Sequence, residues 1–537
     1  MVPSRALRLL RFAGTAVIAT VIVICALLLT LRFAVFPSIG DHRERIAAWM
    51  GATLGQPVTI GAISADWDGW NPRLGITNFA IHDAGAARAA PALLLPRVDV
   101  VVAWTSIPLL DLRLKELSVE RPQLAIRRDL SGRLFVAGLE VDAAAAGNGS
   151  TLSRWMLKQP QIIVRDAGVT WHDEMRAAPP LVLDHLTLRV EQRFGRHEFG
   201  LVAQPPPALA SVVDLRGEFT ATSLHDWKAI SGRLYVRVDF VDLAPWRAWI
   251  EHLHTVESGK GALRIWFDFA DGHATDAIAD VELSDVRTRL ARELPQLDLA
   301  TLEGRLLWKR APSARELGAR GLTFRTRAGQ PLAPANLTLS LTDGPDGIIT
   351  SGRLSLDRLE VAPLAALAAH LPLPADWRRD LAVLALRGSV SDARFAWQGP
   401  PDAPRDFSGS GAFSQFGIAA SATAPGASGV SGSFTFDQAG GDLKLDSRGM
   451  RVVLPRVFVE PLQFDTATGR VRWTREHDAW RYAFDDVRFA TPHTSGTAAG
   501  AWRSQGQGPG ILDLKATLTR AEAQHLYRYL PLTLDNK

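Results

Sequence analysis

The densest group of side chains able to do acid–base or metal chemistry is His172-Asp173-Glu174. It follows an apparent strand, Val164 to Trp171, and reads most simply as a turn between strands. A metal or proton-transfer role would need partners converging from elsewhere in the chain, and no spacing points to them. Gly259-Lys260 lacks the earlier glycine and the following Ser or Thr of a phosphate-binding loop. Neither a Gly-x-Ser-x-Gly elbow nor a His-Glu-x-x-His helix occurs. The sequence therefore offers no catalytic, cofactor-binding or metal site, and the expectation is a protein that is not an enzyme and holds no cofactor.

The chain has 537 residues, 47% apolar and 22% charged, with a net charge of +4. That is enough apolar material for several domains or one long repetitive structure. No basic block marks a nucleic-acid surface, so no nucleic-acid partner is expected. The single cysteine, Cys25, lies in an apolar run, which leaves the rest without disulfides or thiolate metal sites. An extracellular eukaryotic protein of this size would usually carry bridges, so a bacterial periplasm fits better.

Phe12 to Leu31 is a charge-free, mostly apolar run of about 20 residues, long enough to cross a bilayer as one helix. Phe12, Val17, Ile22, Leu27 and Leu31 sample its length. Arg5, Arg8 and Arg11 precede it and should stay cytoplasmic, placing the remainder across the membrane. A cleaved signal is the competing reading. Its apolar region would be shorter, and Arg32 to Pro37 provides no small-x-small cleavage triplet.

Beyond residue 90 the dominant period is two. Leu234, Val236, Val238 and Phe240 alternate with Arg233, Arg237 and Asp239, and Leu263, Ile265, Phe267 and Phe269 alternate with Arg264 and Asp268. Leu337 to Thr342 and Leu512 to Thr519 repeat the pattern. Strands with one apolar and one polar face belong to antiparallel sheets wetted on one side. Asp129-Leu130-Ser131-Gly132, Asp271-Gly272, Asp343-Gly344-Pro345 and Gly440-Gly441 supply turns. Gly399–Pro404 and Ala424–Gly432 read as loops, and Val141–Ser150 as a linker.

Helical pattern is scarce. Asp41–Leu54 presents Ile46, Trp49, Met50 and Leu54 on one face, and Pro245–His254 and Pro363–His370 open with proline. Ala521–Leu530 follows Thr519 as a candidate cap. Ser231-Gly232-Arg233-Leu234 and Ser351-Gly352-Arg353-Leu354 each begin a strand leading to Ala-Pro and a short helix, then to another strand at Leu263 or Leu381. This is either a weak repeat or chance similarity between β-rich segments. Trp67 and Trp70 suit a membrane interface or a packed turn equally. Trp246 and Trp249 most simply cover a sheet edge.

Leu54-Gly55-Gln56-Pro57-Val58-Thr59-Ile60-Gly61, then Trp67, Pro72-Arg73-Leu74-Gly75-Ile76 and Phe79-Ala80-Ile81-His82-Asp83, resemble the start of the AsmA-like proteins of Gram-negative envelopes. Leu117 to Leu124 followed by Gly132-Arg133-Leu134 fits the same pattern. Arg165 to Glu174, Pro179-Pro180-Leu181, Arg196-His197-Glu198-Phe199 and Asp214 to Phe219 are similar to the YhdP branch. The resemblance implies an inner-membrane-anchored bridge, with most of the chain in the periplasm, carrying phospholipid toward the outer membrane. The fold it implies is mainly β: an elongated, repetitive, mostly antiparallel sheet curled into an open hydrophobic groove, with one transmembrane helix and a few short helices. Members of that branch are longer, so an N-terminal portion is expected. The organisation expected is an anchor at 1–36, a juxtamembrane helix and β region at 37–140, the linker at 141–150, and a repetitive β region at 151–537. Leu234, Val236, Val238, Phe240, Leu263, Ile265, Phe267 and Phe269 become candidate groove-lining residues. Phospholipid and the inner membrane are the implied partners, with outer-membrane or envelope proteins beyond them. From alternation alone the same faces would pack as a sandwich core. A non-enzymatic scaffold or regulator of outer-membrane assembly and its permeability barrier is the rival function.

Overall fold

The computed structural model describes residues 4–54, 57–82, 93–106, 113–136, 139–141, 155–221, 230–250, 255–371, 375–420, 425–455, 457–476, 479–504 and 511–529. The chain forms two compact units, Met1–Asp239 with Asp268–His273, and Phe240–Phe267 with Ala274–Lys537. Both are mainly β. The expected linker after Val141 lies outside the described residues.

The first unit opens with α1 (Ser4–Thr30), continued by a π turn over Leu31–Val35, a further helical turn, a 3-10 turn over Ile39–His42 and α2 (Arg43–Leu54). Along α2, Ala47 is buried, Ile46 and Met50 are half-buried, and Trp49 is exposed. The strands follow as β1 (Val58–Thr59), β2 (Ala62–Asp68), β3 (Asn71–Ile81), β4 (Leu93–Val102), β5 (Leu114–Glu120), β6 (Gln123–Arg128), β7 (Leu134–Val136) and β8 (Leu139–Val141). They continue with β9 (Gln161–Asp173), β10 (Leu181–Arg193), β11 (Arg196–Gln204), β12 (Val213–Thr220) and β13 (Ser231–Asp242). Pairing is antiparallel except at β9, which runs parallel to β5 and then to β6. β10 and β11 join through Phe194 and Gly195, both at positive φ, as a two-residue hairpin requires. Ala167, Val169, Leu186 and Ala203 form this unit's buried cluster.

The second unit begins within β13 and contains α3 (Leu243–Trp246), most of β14 (Val256–Ala270) and all but the first residue of β15 (His273–Thr288). The Asp242 carboxylate caps α3, accepting from the Ala244 amide at 3.2 Å. Next come β16 (Leu297–Ala311), β17 (Ala314–Thr326), β18 (Pro331–Asp343), β19 (Ile349–Glu360), α4 (Val361–Leu367), α5 (Ala375–Leu384), β20 (Arg387–Gln398) and β21 (Asp406–Ile418). The unit ends with β22 (Gly426–Asp437), β23 (Gly440–Val453), β24 (Leu462–Glu476), β25 (Ala479–Ala490), β26 (Thr494–Arg503), β27 (Ile511–Ala521) and a 3-10 turn over Ala523–Tyr529. From β15 to β27 each strand pairs antiparallel with the next.

Three local expectations are corrected. Gly426–Gly432, read as loop from its small residues, is strand, because β21 and β23 satisfy its backbone on both sides. Leu381 lies in α5, not in a strand. Trp377, Leu381 and Leu384 have helical spacing, and an Asp376–Arg379 ion pair at 3.0 Å supports the first turn. Thr519 caps nothing: it is inside β27, its hydroxyl donating to the Ser495 carbonyl at 3.1 Å. The strand-then-helix unit does recur, at β13–α3 and β19–α4, and again as β27 followed by the last 3-10 turn.

Candidate functional site

In the second unit, register aligns one apolar face across thirteen strands. Following direct cross-strand partners gives Ala277, Trp308, Leu317, Leu339, Leu354, Phe395, Gly409, Phe436, Gly441, Trp473, Tyr482, Trp502 and Leu512, one from each of β15 to β27. No member is charged. At ~4.8 Å per strand the row extends on the order of 55–60 Å along the sheet. A second row runs beside it through Gly411, Phe434, Leu443, Val471, Phe484, Gly500 and Leu514. The opposite face is polar: Ser355, Arg394, Ser410, Thr435, Asp442 and Arg472 are partners in turn. Ion pairs lace that face. Arg305 hydrogen-bonds Asp280 at 2.5 Å and holds its carboxyl below the usual range, while Arg470 pairs with Asp442 and Arg472 with Asp485.

Glycines lie beneath aromatic rings on the apolar face. A Cβ at Gly352 would meet the Trp397 ring at 2.1 Å, at Gly409 the Phe436 ring at 2.5 Å, and at Gly441 the Trp473 ring at 2.2 Å. These rings lie against the floor of the face instead of standing up from it. Neighbouring rings meet as well, Phe434 with Phe436 at 5.9 Å and Phe395 with Phe436 at 6.2 Å. The outcome is a low, continuous aromatic floor.

The face is filled at one end and open elsewhere. Leu367 of α4 packs with Leu283, Val286, Leu297, Leu299, Phe324 and Leu332 in a closed core. Nine residues beyond Leu299 along β16, roughly 30 Å, Trp308 lies in the open row. Toward the chain's end the face lines a cavity of about 340 Å³ whose walls include Leu445, Met450, Phe464, Val487, Phe489, Leu514 and Leu518. Tyr529 closes one side, its hydroxyl 3.0 Å from that of Thr491. Every residue of β27 is exposed, Leu512 at 57% and Leu514 at 53%.

The sequence-derived lining candidates divide. Leu234 and Val236 are half-buried and pair with Gly217 and Leu215. Val238 is buried at 8%, whereas Phe240 is 42% exposed and Val241 takes the next buried place, so the alternation switches faces at the end of β13. Leu263 packs against the closed core, and Ile265, Phe267 and Phe269 are half-buried. The long row was missed because alternation assigns a face but not a register. Leu339, Leu512 and Leu514 sit on strands whose alternation was legible, but only pairing aligns them with Trp473 and Phe436.

The polar clusters have structural partners. Asp173 is buried and bidentate with Arg128, and Glu174 pairs with Arg127 at 3.1 Å. At the Asp129 turn the carboxylate accepts from the Ser131 hydroxyl at 2.7 Å and from the Ser131 and Arg133 amides at 2.9 Å. The Ser131 hydroxyl foremost holds its pKa down to about 2. Beside the N-terminal helical segment, Phe36 meets Trp67 tilted at 5.2 Å and Trp67 stacks on Trp104 at 6.4 Å, while the Trp104 indole donates to the Trp70 carbonyl at 2.8 Å. This cluster ties the helical segment to β2 and to the turn that follows β4. Trp246 and Trp249 meet edge to face at 5.9 Å.

A candidate anchor, mostly antiparallel strands and one apolar sheet face are the properties that the resemblance implied. A model of the family described as YhdP protein matches residues 1–537. The chain belongs to the YhdP family. No curated protein matches the sequence. YhdP membership places it, at a coarse level, among envelope lipid-transport proteins. Phe12–Ala52 contains the one helical stretch among the described residues that is long and apolar enough to cross a membrane, a candidate single-pass anchor for this YhdP chain. Phe12, Val17 and Ile22 are exposed on α1, Leu27 lies further along it, and Leu31 begins the π turn.

Proposed function

We propose that this chain is a non-enzymatic, inner-membrane-anchored periplasmic protein that carries phospholipid toward the outer membrane along the apolar face of its sheet. The unbroken uncharged row from Ala277 to Leu512 carries the reading. An acyl chain lying on that floor stays out of water, which saves about 0.8 kcal/mol per CH₂. The headgroup remains solvated at the open side. Successive rows look alike to the chain, so no step along them demands a large barrier. Arg5, Arg8 and Arg11, in the first turns of α1 and ahead of the apolar run, orient the anchor with the sheet in the periplasm. Outer-membrane or envelope proteins are the partners expected at the far end.

A photo-crosslinker at Phe484 or Leu514 of the full chain in cells should capture phospholipid, and one at Arg472 or Lys515 should not. Capture of protein alone from Phe484 and Leu514 would replace lipid transfer with the scaffold function.

A further inference from the structure

We infer that His493, Glu522 and His525 form a binding site for a divalent transition-metal ion of the zinc type. His493 immediately precedes β26, and Glu522 and His525 follow β27, so hairpin pairing brings together residues that are 29 and 32 positions apart in sequence. His493 Nδ1 lies 3.3 Å from Glu522 Oε2, and His525 Nε2 lies 3.9 Å from that same oxygen. One donor atom from each residue falls within 4.8 Å of the others. A tetrahedral ion with bonds of ~2.0–2.1 Å needs donors roughly 3.3–3.5 Å apart, so closing each separation by at most about 1.5 Å completes the set. The imidazole rings are tilted and only 3.8 Å apart between centroids.

The surroundings orient these donors. Arg520 donates to the other Glu522 oxygen at 2.7 Å and to the Pro492 carbonyl at 2.8 Å, which leaves Oε2 directed at the histidines. The Glu522 amide donates to the His493 carbonyl at 3.0 Å, and the His525 amide to the Glu522 carbonyl at 2.9 Å. All three residues are half-buried, so an ion can enter and a water can take a fourth position. Two imidazoles and one carboxylate suit zinc and its neighbours, whereas magnesium and calcium prefer all-oxygen sets. A bound ion would fasten the Ala523–Tyr529 turn to the sheet and hold Tyr529 at the wall of the apolar cavity.

The test uses the full chain, purified in detergent without a histidine tag and stripped of metal. Calorimetric titration with zinc chloride should give one ion per chain and raise the melting temperature, with magnesium chloride inert. His493→Asn and His525→Asn should each weaken binding by more than the roughly 10–100-fold that loss of an outer-shell partner costs. X-ray absorption of the unmutated zinc-loaded protein should report two imidazoles and a carboxylate, independent of any variant's folding. Absence of stoichiometric binding, a different ligand set, or unchanged affinity in His525→Asn would overturn the site.

Discussion

Gly441→Ala is the sharpest perturbation of the aromatic floor. A Cβ there would sit 2.2 Å from Trp473 Cζ2, with only atoms of that ring among its three nearest neighbours. The ring must therefore retreat by at least 1.2 Å to restore an ordinary 3.4 Å contact. Its way out is upward, off the floor and into the space above the face. Pushing the side chain off its rotamer costs about 0.5–1.5 kcal/mol. Replacing a strand glycine with alanine returns about 0.5–1 kcal/mol of backbone entropy. The two nearly cancel, so stability should change by less than about 1 kcal/mol while an obstacle now stands in the row. Gly500→Ala is the contrast: its Cβ would meet the Asp513 carbonyl oxygen at 2.1 Å, and backbone cannot swing away. That variant should be strongly destabilised. Urea unfolding of both variants, paired with phospholipid capture by a crosslinker at Leu514, separates the effects. Gly441→Ala should lose capture with its midpoint nearly unmoved. Unchanged capture, or capture falling only in step with stability, would refute the floor as a lipid path.

Val238→Asp buries an unpaired charge at a position only 8% exposed and should cost several kcal/mol in denaturant unfolding; Leu514→Asp, half-exposed, should shift unfolding by under about 1 kcal/mol yet abolish lipid capture. The Asp129 turn should respond to acid. Its folded pKa of about 2 lies below the usual carboxylate value, so its stabilisation is complete above about pH 4 and is lost as pH falls through 2. Limited acid proteolysis at exposed Leu130 should rise over that window, and Asp129→Asn should already be susceptible at pH 5. For topology, cysteine introduced at the fully exposed hairpin residue Phe194 should react with a membrane-impermeant maleimide once the outer membrane alone is opened, while cysteine at Arg8 should stay protected until the inner membrane is broken.

The candidate anchor was legible because one uninterrupted apolar run of sufficient length needs no partner to declare itself. The strands were legible because period-two alternation is local, and Leu263–Phe269, Leu337–Thr342 and Leu512–Thr519 all fall in strands. Locally ambiguous stretches failed. α5 carries both helical and alternating spacing, and the small residues of Gly426–Gly432 are strand only because neighbours hold both edges. Tertiary pairing alone decided the rest. It set which alternating residues share a row, which glycines lie under Trp397, Phe436 and Trp473, and that His493 meets Glu522 and His525. Alternation fixes the face a side chain takes, but a row is a property of register, and register depends on turns, bulges and partners far away in sequence. Val238 and Phe240 mark a further limit: they belong to one alternating run in sequence, yet β13 switches faces before Val241, which leaves Val238 buried and Phe240 exposed.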